Sequence, residues 1–412
     1  MEYGCIGEHL KHSFSKEIHN ALCDYEYEIK EIPREELRSF AEEGNFKAIN
    51  VTIPYKEEIM PYLYNIDEHA LLIGAVNTVV NRGGKLYGYN TDFCGMTELA
   101  RHAGITLRGK KVVILGSGGT AKTSLAVCKS EGAKEIIKVS RSGKEGSVTY
   151  EELYESHTDA EIIINTTPVG MYPNIFDSPV RLEEFKGLSG VIDAVYNPLR
   201  TPLIMKAREM GVPSEGGLYM LVAQAVRASE IFTDTRYPEG TVEEVYEKIL
   251  RSKENIVLIG MPSSGKTTVG NILREKLGRT LIDTDEVIVK NAGVSIPELF
   301  KEHGEAYFRD LESEAVKSTS DKTCSVIATG GGAVLRYENI RALMENGRIF
   351  FIDRPLSKLI PTGDRPLSST VEAVKKRYSE RYEIYKSSCD VVIDADCTPD
   401  EVAEKICEEM KL

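Results

Sequence analysis

The chain has 412 residues, 42% of them hydrophobic, and a formal net charge of −13. That length calls for two or three domains, each with its own core, and the acidic balance argues against nucleic acid or an anionic membrane as a partner. No apolar run approaches the roughly 18 residues that suggest a membrane span. Met1-Glu2-Tyr3-Gly4-Cys5 lacks the basic-then-apolar start of a secretory signal. The eight cysteines form no C-x-x-C pair, as expected of reduced thiols in a cytoplasmic protein without a zinc site.

In chain order, short apolar strands first alternate with helical stretches, among them strands at 28–32 and 48–51. From Gly109 the pattern becomes regular, with a strand at 112–115, a glycine turn, a helix near 120–131, and strands at 135–139, 161–164 and 190–193. Helices are expected at 217–232 and 241–251. The second carries Val242, Val245, Tyr246, Ile249 and Leu250 on one face. The charged stretch Arg251-Ser252-Lys253-Glu254-Asn255 then precedes a new strand, which marks a boundary with a short connection rather than a flexible tether. Beyond it, strands at 256–259, 325–328, 348–352 and 390–394 alternate with helices up to a closing helix at 399–411. Strands alternating with helices predict α/β architecture with parallel sheets in both halves.

Two glycine loops carry the most specific signals. Gly116-Ser117-Gly118-Gly119-Thr120-Ala121 follows the apolar run Val112–Leu115. Gly116 suits the tight turn and Gly118, with Gly119 beside it, lets backbone approach a pyrophosphate. The small Ala121 lets helix and strand pack. The first N–H groups of the helix then face phosphate. The next strand leads into Ser140-Arg141-Ser142, with Lys144 beyond. A dinucleotide site for NAD usually has an acid there, whereas basic residues accommodate a 2′-phosphate, so Arg141 and Lys144 favour NADP(H). The competing explanation is a solvated loop arginine.

The second loop, Gly260-Met261-Pro262-Ser263-Ser264-Gly265-Lys266-Thr267, follows Ile256–Ile259 and fills every fixed position of a P-loop. Its N–H groups wrap phosphates, Lys266 reaches the β- and γ-phosphates, and the Thr267 hydroxyl ligates Mg²⁺, with Thr268 next in the helix. ATP and Mg²⁺ are therefore expected in the second half.

Around the first loop stand further blocks: His12-Ser13-Phe14-Ser15, Asn50-Val51-Thr52-Ile53-Pro54-Tyr55-Lys56, Gly74-Ala75-Val76-Asn77-Thr78 and Gly88-Tyr89-Asn90-Thr91-Asp92. Asn165-Thr166-Thr167-Pro168-Val169-Gly170-Met171, Asp193-Ala194-Val195-Tyr196-Asn197-Pro198 and Gly216-Gly217-x-x-Met220-Leu221-x-x-Gln224 follow in order. With these blocks, residues 1 to about 250 closely resemble shikimate dehydrogenase. The resemblance implies an α/β substrate domain joined to a Rossmann-type domain that holds NADP(H), with Gly217 and Met220 among the cofactor contacts. It implies reduction of 3-dehydroshikimate to shikimate, with Lys56 and Asp92 as the proton-handling pair. Such a pair suits ketone reduction, which needs a proton donor at the oxygen. It places Ser13, Ser15, Thr52, Asn77, Tyr196 and Gln224 on the polyhydroxylated ring. Taken singly, Lys56 could be an exposed lysine at a helix start and Asp92 a helix N-cap. The chain departs from the family at Lys16, where Pro is usual, and at Ser140-Arg141-Ser142, where Asn-Arg-Thr is usual.

The second half carries Asp283-Thr284-Asp285, Gly304-Glu305-x-x-Phe308-Arg309-x-x-Glu312, Gly330-Gly331-Gly332, Asp364-Arg365-Pro366-Leu367 and Glu380-Arg381-x-x-x-Tyr385. From about residue 255 onward these blocks resemble P-loop shikimate kinase in order and spacing. The resemblance implies that Asp285 contacts the ring hydroxyls and acts as base. Arg309 and Arg381 would hold the carboxylate, which suits guanidinium fork geometry. Gly331 lies against the substrate, Arg365 in the lid offsets phosphoryl charge, and Asp283 helps position Mg²⁺. Read without the family, the aspartates could be turn residues, and Arg309 could simply pair with Glu305 and Glu312. Ser263 stands where the family's loop often has Gly, the segment from Ser357 to Arg365 looks short, and Lys358 is the basic residue nearest the expected adenine-facing arginine.

The expected organisation is a dehydrogenase over 1–252, with substrate-binding parts 1–95 and 220–252 around an NADP-binding part 96–219, and a kinase over 253–412. The expected partners are 3-dehydroshikimate and shikimate. A homodimer is one option the sequence leaves open. The competing function is a quinate/shikimate dehydrogenase fused to a kinase-like module that senses a ligand or phosphorylates another small acceptor.

Overall fold

A computed structural model describes residues 1–8, 10, 14–144, 146–361 and 370–412. The chain divides into two compact units, Met1–Ile249 and Leu250–Leu412.

The first unit holds two sheets. One comprises β1 (Tyr3–Gly7), β2 (Tyr27–Glu31), β3 (Ala48–Val51), β4 (Asn65–Ile66), β5 (Thr78–Arg82) and β6 (Lys85–Tyr89), in the order β2-β1-β3-β5-β6-β4. It is mixed: β1 runs parallel to β2 and β3, whereas β5 is antiparallel to both β3 and β6. The β5–β6 hairpin is tightened by Gly83 and Gly84, both at positive φ (62° and 83°), which a two-residue turn of matching twist requires.

The other sheet is wholly parallel. It comprises β7 (Lys111–Leu115), β8 (Glu135–Val139), β9 (Ile162–Asn165), β10 (Gly190–Asp193) and β11 (Ser214–Glu215), in the order β11-β10-β9-β7-β8. β7 and β9 are apolar runs because helices cover both faces. Ile114, Ile162 and Ile164 pack with Leu99 and Val127 on one side. Val113, Leu115 and Ile163 pack with Leu203 and Ile204 on the other. Burying one such side chain contributes about 1.5–3 kcal/mol. The helices Asp92–His102 and Leu218–Thr233 meet at Gly95. A Cβ there would lie 2.7 Å from the Met220 carbonyl oxygen and 3.0 Å from Gln224 Cβ.

The second unit is one parallel sheet of β12 (Asn255–Ile259), β13 (Thr280–Asp283), β14 (Ser325–Ala328), β15 (Gly347–Asp353) and β16 (Val391–Asp394), ordered β13-β14-β12-β15-β16. Val257, Ile259 and Phe351 face one core, and Ile256, Leu258 and Phe350 the other, as the two-residue period of a strand dictates. The helical stretch Ile296–Lys317 is interrupted at Gly304 (φ 82°, ψ 178°). Among the described residues, no helix is long and apolar enough to cross a membrane.

Candidate active sites

β3 ends at Val51 and the chain turns into the one-turn helix Tyr55–Glu58. Tyr55 is fully buried and its hydroxyl donates to the Ile32 carbonyl, which anchors this turn. Lys56 is thereby aimed at the first residue of helix Asp92–His102, and its Nζ lies 2.5 Å from Asp92 Oδ2. Asp92 does not cap that helix; Asn90 Oδ1 accepts the Phe93 N–H at 3.2 Å instead. The Asp92 carboxylate, seated in the first turn, pairs with the lysine and is favoured there by the helix dipole.

The pair opens onto a cavity of ≈ 640 Å³ between the two sheets of this unit. Ser15, Thr52, Asn77, Tyr196 and Gln224 all line it, as do Gly217 and Met220; Ser13 lies outside the described residues. Asn77 is the hub of the polar wall. Its Oδ1 accepts the Thr91 N–H at 2.8 Å and its Nδ2 donates to Thr91 Oγ1 at 3.1 Å. The Thr91 hydroxyl reaches Gln224 Oε1 at 3.2 Å. Behind them, Asn50 accepts from the Tyr27 hydroxyl at 2.7 Å and donates to Thr78 Oγ1 at 3.2 Å. Burial pushes the Tyr196 hydroxyl upward, so it stays a neutral donor. Cys5 also lines the cavity, but burial drives its thiol up to about 12, against the pull of Lys56, so it is no nucleophile.

At the carboxyl end of β7, the Gly116 N–H donates to the Val139 carbonyl at 2.8 Å. This edge, where strand order reverses between β7 and its neighbours, is where open α/β sheets bind ligands. A Cβ on Gly118 would meet no atom within 4 Å, and one on Gly119 would meet only Lys56 Cδ at 4.0 Å. Helix Gly119–Ser130 begins without a side-chain cap, so its first N–H groups face that opening. Past β8, Ser140 Oγ accepts the Gly143 N–H at 3.1 Å and meets Ser147 Oγ at 2.6 Å. The turn so closed presents Arg141 and Lys144 to solvent. The features present fit a phosphorylated dinucleotide.

In the second unit the carboxyl ends of β12, β13 and β14 bring the second set together. Lys266 Nζ donates to the carbonyls of Gly260 (2.8 Å) and Met261 (3.0 Å), spanning its own loop. The Thr267 hydroxyl donates to Asp283 Oδ2 at 2.7 Å, while Asp283 Oδ1 accepts the Asp285 N–H at 3.0 Å and caps helix Thr284–Ala292. Thr268 is exposed on helix Lys266–Leu277, and Gly265 sits at φ 97° as the N-cap of that helix. An exposed hydroxyl beside a carboxylate is a fitting donor set for a Mg²⁺ that takes its other ligands from phosphate and water.

The triple glycine follows β14. A Cβ on Gly330 would lie 2.6 Å from Asp285 Oδ1 and 2.7 Å from Glu312 Oε1, and one on Gly332 would fall onto the Arg309 guanidinium. The Gly331 carbonyl accepts from Arg381 Nη1 at 3.0 Å and from the Tyr385 hydroxyl. Asp285, Arg309 and Arg381, far apart in sequence, thus surround one short stretch of backbone. Arg309 does pair with Glu312 (2.7 Å) and Glu305 (3.0 Å), yet it is no surface residue: it is 9% exposed and Glu312 1%. Burial raises the Glu312 pKa against the pull of Arg309. Burial would lower that of Arg309, but its two glutamates outweigh this and raise it. Glu312 Oε1 and Arg309 Nε have no hydrogen-bond partner. Arg365 lies outside the described residues, and Lys358 forms an ion pair with Asp396. Sequence pattern alone does not mark Thr91, Glu312 and Tyr385 as site residues, although each stands inside one of the recurring blocks.

Both units therefore place a glycine loop and a cluster of polar and charged groups at the carboxyl edge of a parallel sheet. They define a dinucleotide-dependent dehydrogenase module followed by a P-loop kinase module. Residues 5–79 match the family model for the shikimate dehydrogenase substrate binding domain, and residues 262–411 match that for shikimate kinase. A relative from Clostridium beijerinckii, named shikimate dehydrogenase (NADP(+)), is 38% identical over 261 residues, covering 59% of this chain and 96% of that protein. A crystal structure of shikimate dehydrogenase 1 from Peptoclostridium difficile has 36% identity and a TM-score of 0.56, covering 60% of this chain and 98% of that one. A chorismate mutase/shikimate 5-dehydrogenase fusion from Clostridium acetobutylicum has 37% identity and a TM-score of 0.57, over 60% and 96% of the two chains. The chain belongs to the shikimate dehydrogenase family and carries a shikimate kinase domain in its C-terminal part. It is a bifunctional enzyme of the shikimate pathway, an oxidoreductase joined to a phosphotransferase.

Proposed function

We propose that residues 1–252 reduce 3-dehydroshikimate to shikimate with NADPH, and that residues 253–412 phosphorylate that shikimate on its 3-hydroxyl with MgATP, both in the cytoplasm. The observation that carries the first step is the Lys56–Asp92 ion pair on a polar cavity wall, with Lys56 Cδ 4.0 Å from where a Cβ on the dinucleotide turn would stand. Bound NADPH supplies the hydride. Lys56 donates a proton to the carbonyl oxygen as the carbon is reduced, and Asp92 holds the ammonium in line. Asn77, Thr91 and Gln224 orient the ring hydroxyls, with Ser13, Ser15, Thr52 and Tyr196 as further contacts. Arg141 and Lys144 answer a 2′-phosphate.

For the second step, MgATP supplies the phosphoryl group. Lys266 and the loop N–H groups hold the phosphates, while Thr267 and Asp283 hold the ion. Arg309 and Arg381 grip the ring carboxylate, and Asp285 takes the proton from the attacking hydroxyl. Glu312 keeps Arg309 in place beside Gly332.

The deciding experiment gives the purified chain 3-dehydroshikimate, NADPH and MgATP and identifies the products. Shikimate 3-phosphate that requires both cofactors is expected; shikimate that accumulates unphosphorylated would refute the coupled reading.

A further inference from the structure

The kinase half has an arginine that the roles above do not use. Arg354 directly follows β15, the strand next to β12, and so lies at the same carboxyl edge as the phosphate loop. Its Nη1 is 3.9 Å from where a Cβ on Gly265 would stand. Its Nε is buried and has no hydrogen-bond partner, and among the described residues it forms no ion pair. A guanidinium that is partly desolvated and short of an acceptor costs stability unless something completes it. The neighbouring Asp353 carboxylate is engaged elsewhere, by the Tyr382 hydroxyl at 2.9 Å.

The chain after Arg354 is pinned on both sides. The Ser263 hydroxyl donates to the Ile360 carbonyl at 2.8 Å, and Lys358 pairs with Asp396. Ser263 occupies the left-handed region at φ 66°, a conformation that costs a non-glycine residue roughly 1–2 kcal/mol and here brings its hydroxyl to Ile360. The phosphate loop and the segment that begins with Arg354 are therefore joined. Lys358, the sequence candidate for a nucleotide-facing cation, is turned to an acid, whereas Arg354 faces the Gly265–Lys266 turn, whose N–H groups cradle α- and β-phosphates.

We propose that Arg354 is a nucleotide-positioning residue: its guanidinium donates to the α- or β-phosphate oxygens of a nucleoside triphosphate seated on the loop. The proposal rests on the kinase reading above. Guanidinium is the group best suited to such oxygens, with paired donors and a permanent charge.

The test uses the full-length chain with Arg354→Met and Arg354→Lys. ADP binding without shikimate is measured by calorimetry, and Michaelis constants for MgATP and shikimate in the kinase assay. Arg354→Met should weaken ADP binding and raise the MgATP KM by about tenfold or more, as expected for one lost charge-assisted contact. The shikimate KM and the reduction of 3-dehydroshikimate should stay unchanged. Arg354→Lys should recover part of the loss, since it restores charge without the fork. An ADP affinity equal to that of the parent would overturn the proposal. So would a parallel rise in both Michaelis constants with a lowered melting temperature, which marks a structural role. If the parent chain binds ADP but does not phosphorylate shikimate, the acceptor assignment fails while the ADP titration still decides the role of Arg354.

Discussion

Glu345 offers a sharp physical test of the kinase half. It lies on helix Tyr337–Asn346, is 0% exposed, and neither carboxylate oxygen has a hydrogen-bond partner. Burial raises its pKa from 4.5 to about 8, against the opposing pull of Arg341. The fold thus favours the neutral acid over the carboxylate. The resulting stability is fully present below the unfolded value of 4.5 and is lost as pH rises through about 8. At about 1.4 kcal/mol per pH unit, the loss is roughly 3 kcal/mol by pH 7 and levels off near 5 above pH 8. Glu345→Gln keeps the shape and removes the titration. Urea unfolding of the full chain at pH 5.5, 7 and 8.5, followed by hydrogen-exchange labelling of peptides from 325–353, reads this half selectively. The parent should lose stability steadily across that series, while the glutamine variant should lose markedly less and exceed the parent at pH 8.5. Parallel pH dependence in the two proteins would refute the assignment of the titration to Glu345.

Lys56→Met should lower the rate of 3-dehydroshikimate reduction by about 10²–10⁴-fold, the usual contribution of a positioned proton donor, and leave phosphorylation of added shikimate unchanged. Both activities can be measured in one preparation; loss of both would sink the modular assignment. Gly332→Ala places a methyl on the Arg309 guanidinium, so the shikimate KM of the kinase should rise about tenfold, the effect of one lost charge-assisted contact, with that for MgATP little changed. An unaltered shikimate KM would show that Arg309 does not touch the acceptor. Arg141→Asp should raise the NADPH KM about tenfold or more and narrow the preference over NADH, without altering the KM for 3-dehydroshikimate. Equal use of NADPH before and after would remove Arg141 from the 2′-phosphate site.

Much of this architecture is legible in the sequence, because buried parallel strands are apolar runs. The expected strand at 112–115 is β7, that at 256–259 is β12, and the helix at 399–411 runs from Pro399 to Met410. The mixed sheet at the start was not legible. β5 and β6 pair through a glycine hairpin, but whether β5 lies parallel or antiparallel to β3 depends on long-range pairing that local pattern does not encode. The cluster of Asp285, Arg309 and Arg381 shows the same limit. Nothing around Asp285, Arg309 and Arg381 says alone that they meet; the strand order β13-β14-β12-β15-β16 and the helices between those strands bring them to Gly330–Gly332. Arg354 and Glu345 were invisible for a different reason. Each looks like an ordinary charged residue, and only burial without a partner distinguishes it.

The contact at Gly95 has a consequence for the width of the cavity. The helix that opens with Asp92 and the helix that carries Gln224 are held at a spacing set by one absent methyl group. Asp92 and Gln224 both line the cavity, so this contact fixes how far apart two of its walls stand. A side chain at position 95 would widen the gap at Met220 and draw Gln224 away from Thr91. The width of the cavity is thus set in part by a residue that does not line it.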